Sequence, residues 1–207
     1  MDFNLLIQPK ALFKKIYPKA VWNFNRSSQV IYLTFDDGPI PEITKWVLDE
    51  LIKFNAQATF FCVGENIKQH PDIFETIIAQ GHGVANHTMN HLKGFSTSTE
   101  DYLKDVDGCK LLVKNNLFRP PYGLLKPSQY KQLLAKNYNL IMWDVISYDY
   151  EKISEKTCLN NVIKNTKNGS IVLFHDSVKS ENNLKYALPL FLSHFTNLGY
   201  TFKKIEA

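Results

Sequence analysis

"YLTFDDGP", Tyr32 to Pro39, sets a run of β-branched and aromatic residues against two adjacent carboxylates, Asp36 and Asp37, and then a Gly-Pro stop. The run predicts a strand that ends at the acids. Asp, Gly and Pro are ordinary turn residues, so the segment by itself also reads as a solvated turn. Two like charges this close repel and tend to raise one pKa. The rest of the chain has to say why both are there.

Runs of the same kind recur at 58–64 (ATFFCVG), 82–87 (HGVANH), 117–123 (LFRPPYG), 139–145 (NLIMWDV), 169–176 (GSIVLFHD) and 200–206 (YTFKKIE). Between most of them apolar residues fall at helical spacing: Trp46, Val47, Leu51 and Phe54; Ile73, Phe74, Ile77 and Ile78; Leu103, Val106, Leu111 and Leu112. Pro41 suits the first turn of the first of these helices, Gly81 ends the second, and Ser98 or Thr99 caps the third ahead of Glu100 and Asp101. Alternating strand and helix predicts an α/β protein, with a parallel sheet covered by helices, and about seven such units can close into a barrel. An open doubly wound sheet is the alternative. No repeat, low-complexity tract or Gly/Ser linker divides the chain, so one domain is expected.

With 207 residues, 44% hydrophobic and 21% charged, the chain can build a sizeable core. A net charge of +4 with scattered lysines gives no basic stripe, and no nucleic acid partner is expected. Cys62, Cys109 and Cys158 are far apart and odd in number, which argues against a disulfide framework or a zinc knuckle. Cys62, inside an apolar run, reads as a small buried hydrophobe. The N-terminal stretch is interrupted by Pro9, Lys10, Lys14, Lys15 and Pro18, and offers neither the apolar core of a signal peptide nor a transmembrane segment. A cytoplasmic location is the default expectation. The amphipathic "ALFKKIYPKAVW" (11–22) is expected to pack on the body of the domain, a membrane surface being the other option.

In a parallel barrel, function gathers at the C-terminal ends of the strands. Here those ends carry Asp36 and Asp37, His87 with His91, Arg119 before Pro120-Pro121-Tyr122, Trp143-Asp144 with Asp149, and His175-Asp176, all expected on one rim. His87 and His91 stand at i, i+4, which puts both imidazoles on one face if the segment is helical. One Asp of the pair completes a set of two imidazoles and one carboxylate with open coordination positions, and the other is left to act as a base. Zinc is the first ion expected, with Co²⁺, Ni²⁺, Mn²⁺ and Fe²⁺ also suited. His175 supplies the proton donor such a site lacks; alone it would read as a core histidine bonded to a carbonyl. His70, His82 and His194 read as surface or structural residues.

Assembled in this order, "TFDDG" (34–38), "HTMNH" (87–91), "RPPYG" (119–123), "WDVISYDY" (143–150) and "IVLFH" (171–175) make the chain resemble the NodB-homology polysaccharide deacetylases, carbohydrate esterase family four. The resemblance spans roughly residues 30 to 206. It implies a distorted, incomplete (β/α) barrel at 28–207, with 1–27 as an N-terminal extension. It also implies metal-dependent removal of acetyl groups from N-acetylglucosamine-type units of an acetylated glycan.

Carried over by position, Asp36 resembles the general base, Asp37, His87 and His91 the metal ligands, and His175 the general acid. Arg119 resembles the residue that orients the base, and Asp149 the partner of the acid. The Tyr122 backbone N–H resembles half of an oxyanion hole, and Leu173 with Tyr150 the apolar wall against the acetyl methyl. Many relatives have Trp where this chain has Tyr150 and an acid where it has Ile146. A catalytically silent carbohydrate-binding domain on the same scaffold and a non-haem iron oxygenase are the competing classes. The first normally lacks a ligand or the base, and the second has no place for Asp36 and His175.

Overall fold

The computed structural model describes residues 7–9 and 11–206. Its strands are β1 (Val30–Asp36), β2 (Ala58–Cys62), β3 (Gly83–Asn86), β4 (Leu117–Phe118), β5 (Asn139–Leu140), β6 (Val145–Ile146), β7 (Ile171–His175) and β8 (Thr201–Phe202). Seven of them lie side by side in the order β5-β4-β3-β2-β1-β7-β6, and β8 pairs with the start of β1. Every ladder is parallel. The helices are α1 (Ala11–Ile16), α2 (Pro41–Lys53), α3 (Gly64–Gln69), α4 (Pro71–Ala79), α5 (Thr99–Val113), α6 (Pro127–Ala135), α7 (Glu155–Asn165) and α8 (Glu181–Asn197).

The run expected at 139–145 is two strands, and they occupy opposite ends of the sheet. Laid flat, seven strands at ~4.8 Å spacing would hold their outer members about 29 Å apart. The five-residue step from Leu140 to Val145 spans at most about 18 Å. The sheet must therefore curl, and the result is a distorted, incomplete (β/α) barrel rather than an open sheet. The N-terminal segment meets both free edges. Val21 exchanges backbone hydrogen bonds with Leu140 and Met142 on the β5 side, at 2.8 Å each, and on the β6 side the Ile7 carbonyl accepts the Ile146 N–H at 3.0 Å.

Strand alternation sorts side chains between two cores. Ile31, Leu33 and Phe35 of β1, with Val172 and Phe174 of β7, face outward against buried Val47, Leu48 and Leu51 of α2 and Leu188, Phe191 and Leu192 of α8. Phe35 stacks on Phe60 and Phe174, with ring centroids 5.1 and 6.2 Å apart. Phe61, Ala85, Leu117, Ile141 and Ile171 form a smaller cluster inside the barrel. Thr34 and Asp36 share their side of β1, and the ladder sets Thr34 beside Leu173 and Asp36 beside His175. The same parity that buries Phe35 thus delivers a carboxylate and an imidazole to the interior rim. Pro41 opens α2, and the Ser98 hydroxyl accepts the Asp101 N–H to cap α5, as the sequence predicts.

Candidate active site

The C-terminal rim encloses a cleft of about 760 Å³ whose lining includes Asp36, Asp37, His87, His91, Tyr122 and His175. Asp36 is buried at the end of β1, and its Oδ1 accepts a 2.7 Å hydrogen bond from Nη1 of Arg119. Arg119 has no solvent exposure. Its remaining donors reach Thr34 Oγ1 at 2.9 Å and the carbonyls of Ile141 and Met142 at 3.1 and 2.9 Å. The guanidinium lies 3.9 Å from the centroid of the Phe61 ring. A buried cation with all three of its nitrogens hydrogen-bonded is a rigid strut. It holds one oxygen of Asp36 and leaves Oδ2 on the side of His87 Nε2, 3.8 Å away.

Asp37 begins the turn, with φ 85°. Its Oδ1 lies 3.1 Å from His91 Nε2 and 3.7 Å from His87 Nε2, and one donor atom from each of the three residues falls within 4.8 Å of the others. Burial pushes the Asp37 pKa up, but the His91 hydrogen bond and the His175 imidazolium outweigh it and hold the carboxyl well below the usual carboxylate range. Burial pulls His87 down to about 4, so its ring is neutral at neutral pH. His87 Nδ1 is 2.8 Å from the Arg119 carbonyl, which can only accept; the proton is therefore on Nδ1, and Nε2 presents its lone pair to the cleft. One anionic oxygen beside imidazole nitrogens, one of them already in the correct tautomer, is the donor chemistry that fits a divalent ion.

The helical condition for aligning His87 and His91 is not met: the segment is a loop, with Thr88 at φ 66° and His91 at φ 54°. Its shape is imposed from α5. The Asp105 carboxylate accepts from the Met89 and Asn90 N–H groups at 2.7 and 3.0 Å and from the Asn90 amide at 2.6 Å. Tyr122 and Tyr148 also sit at positive φ, 62° and 58°. The three other described non-glycine residues in this region, Asn55, Lys114 and Asn137, stand at helix C-termini, where such a conformation is ordinary. At the rim no helix end explains it, and each such residue costs about 1–3 kcal/mol.

His175 ends β7 with its Nδ1 2.8 Å from Asp149 Oδ1, while its backbone N–H donates to Asp149 Oδ2 at 2.8 Å. Burial opposes a charged ring, but the Asp149 carboxylate outweighs it and the His175 pKa is raised to about 9. Tyr150 packs edge-on against His175, ring centroids 4.6 Å apart. Leu173 lines the same wall, and so do Ile146, its register partner on β6, and Trp143. Gly123, at φ 67°, lets the Trp143 indole close on the Tyr122 turn, because a Cβ there would sit 2.4 Å from Trp143 Cη2.

Three acids expected on the rim do not line the cleft: Asp149, which backs His175, Asp144 and Asp176. Asp144 Oδ2 bonds Arg26 at 2.8 Å and Ser170 Oγ at 2.7 Å, at the far end of β7. Asp176 turns beneath the Gly38 turn. Trp143 as a wall residue, Thr34 as a support for Arg119 and Asp105 as the support of the histidine loop emerge only from the structure. An acid set between Leu103 and Val106 on an apolar helix face was the available signal for Asp105. His82, read as structural, is buried and its Nδ1 accepts the Ala58 N–H at 3.2 Å.

A family model described as polysaccharide deacetylase matches residues 24–141, more than half of the chain. The chain belongs to the polysaccharide deacetylase family. It is 34% identical to a peptidoglycan-N-acetylglucosamine deacetylase of Bacillus cereus, over 94% of this chain and 96% of that protein. A chitooligosaccharide deacetylase of Rhizobium leguminosarum bv. trifolii is 32% identical over 70% of this chain and 71% of its own length. Among solved structures, the Bc1960 peptidoglycan N-acetylglucosamine deacetylase in complex with 4-naphthalen-1-yl-N-oxidanyl-benzamide superposes with a TM-score of 0.85 at 28% identity, covering 90% of this chain and 91% of that one. Among the described residues no helix is long and apolar enough to cross a membrane.

Proposed function

We propose that this polysaccharide deacetylase is a metal-dependent hydrolase that releases acetate from N-acetylglucosamine-type units of a glycan. The observation that carries the reading is the juxtaposition in one cleft of the Asp37, His87 and His91 donor set with a buried base and an Asp-paired imidazole. Asp37, His87 and His91 would hold one divalent ion, for which zinc is the first choice. Bound there, the ion would polarise the acetyl carbonyl and make water a better nucleophile.

The chain's own groups do the rest. Asp36, held by Arg119 through one oxygen, takes the proton of the attacking water with the other. The Tyr122 N–H stabilises the charge that develops on the acetyl oxygen. His175, kept charged by Asp149, gives its proton to the departing amine. Leu173, Ile146, Trp143 and Tyr150 face the acetyl methyl, and Tyr122, with 56% of its surface exposed, faces the glycan. The relatives point to peptidoglycan or chitooligosaccharide as the polymer. Acetate release from peptidoglycan, chitooligosaccharides and O-acetylated xylan, with and without chelator, tests the proposal. Release from the N-acetylated glycans that stops on chelation and returns with zinc is expected. Full activity in protein shown to be free of transition metal would overturn it.

A further inference from the structure

Asp176 directly follows His175, yet it is fully buried and is not among the residues lining the cleft. Its backbone N–H donates to the Asp36 carbonyl at 3.1 Å. Its Oδ1 accepts the Gly38 N–H at 3.1 Å, and its Oδ2 accepts the Thr44 hydroxyl at 2.6 Å. The Thr44 hydroxyl in turn accepts the Ile40 N–H at 2.7 Å. One carboxylate therefore ties together the end of β7, the turn after β1 and the first turn of α2. The fit is close: a Cβ on Gly38 would lie 2.0 Å from Asp176 Oδ2, so the turn backbone rests directly on the carboxyl.

That turn carries Asp37 at φ 85°, a left-handed backbone conformation that costs any residue but glycine free energy. Three grips are visible. Asn66 Nδ2 holds the Asp37 carbonyl at 2.7 Å, Asp176 holds the next N–H along, and the Val63 N–H donates to the Gly38 carbonyl at 3.0 Å. Asp176 also follows His175 on the same strand end, so it fixes the acid and the Asp36–Asp37 pair against each other. We propose that Asp176 is a positioning residue which sets the Asp37 carboxylate for the metal and fixes its distance from His175. The proposal rests on the functional reading above. Asp176 works through Asp37, and its side chain bonds only Gly38 and Thr44, neither of which lines the cleft, so its loss should act on metal affinity and kcat and leave KM nearly unchanged.

The test is zinc titration of the metal-free protein by calorimetry, with kcat, KM and thermal melting, for Asp176→Ala, Asp176→Asn and Thr44→Val. Partners that orient a ligand typically change metal affinity by about 10–100-fold. Asp176→Ala should weaken zinc by about that factor and lower kcat at saturating zinc with KM within about twofold. Asp176→Asn keeps an oxygen for Gly38 and should recover most of the affinity. A purely structural role would lower the melting temperature alone. A folded Asp176→Ala with parental zinc affinity and kcat overturns the proposal. Should Asp176→Ala not fold, Thr44→Val decides: several-fold weaker zinc is expected, and parental affinity overturns the proposal. A parent protein that binds zinc but deacetylates no glycan sinks the functional reading alone, because the titrations still judge Asp176.

Discussion

Arg119 and Asp36 form a 2.7 Å ion pair inside the barrel, and neither side chain has more than 5% of its surface in contact with solvent. Removing one partner of such a pair leaves the other charged and unpaired, which costs about 3–5 kcal/mol. Arg119→Ala should lose roughly that amount in denaturant unfolding. Arg119→Lys should lose nearly as much, since an ammonium cannot reach Asp36, Thr34 and two carbonyls from one planar fork. A loss below about 1 kcal/mol for Arg119→Ala would show the strut to be dispensable.

The His175–Asp149 pair predicts a pH dependence in two observables. A folded-state pKa raised from 6.5 to about 9 stabilises the fold fully below about pH 6.5 and loses that contribution as pH rises through about 9. The proton donor proposed here, His175, is spent over the same range, so kcat should fall on the alkaline side. Asp149→Asn keeps the shape and removes the anion, and should move that limb acidward by at least about one unit. The apparent value belongs to the whole cluster. Parent and variant are therefore compared at equal metal load, and coincident alkaline limbs would remove Asp149 from this role.

What the sequence disclosed and what it hid follow from range. The strand runs, the acids at the end of β1 and the imidazole at the end of β7 were legible because alternation and residue type act locally. The loop from His87 to His91 was not, because its positive φ angles are held by Asp105, distant in the chain. Residue type alone does not choose between Asp144 and Asp149, and the family resemblance is what named Asp149. Both acids flank β6, and only its pairing with β7, Ile146 beside Leu173, sends one to Arg26 and the other to His175. The split of 139–145 into two edge strands was hidden for the same reason, since only closure of the barrel requires it.

The apolar wall predicts acyl selectivity. Leu173, Ile146, Trp143 and Tyr150 surround the place assigned to the acetyl methyl, and forcing extra methylenes into a packed site costs about 1–3 kcal/mol. N-acetyl sugars should outpace N-butyryl sugars in kcat/KM by about 5- to 150-fold. Leu173→Ala should narrow that ratio while the metal content stays the same. Equal rates on the two sugars with the parent enzyme would mean that the acyl group is not bound against this wall.

The two carboxylates of the Tyr32–Pro39 segment are separated by Asp36→Asn and Asp37→Asn. Asp37 faces both imidazoles, with Oδ1 3.1 Å from His91 Nε2 and 3.7 Å from His87 Nε2, so its amide should weaken metal affinity and regain part of its activity in excess metal. Asp36 spends one oxygen on Arg119, and its amide should keep the metal near parental stoichiometry. Turnover should nevertheless drop by roughly 10²–10⁴-fold, because the attacking water has lost its proton acceptor. Asp36→Asn also leaves Arg119 without its counter-ion, so melting curves must first show that the variant is folded at the assay temperature. Metal stoichiometry measured beside turnover then decides. Loss of metal from Asp36→Asn and retention by Asp37→Asn would exchange the two roles. Retention of both metal and rate in both variants would leave Asp36 a buried structural partner of Arg119 and Asp37 a turn residue, with no part in the reaction.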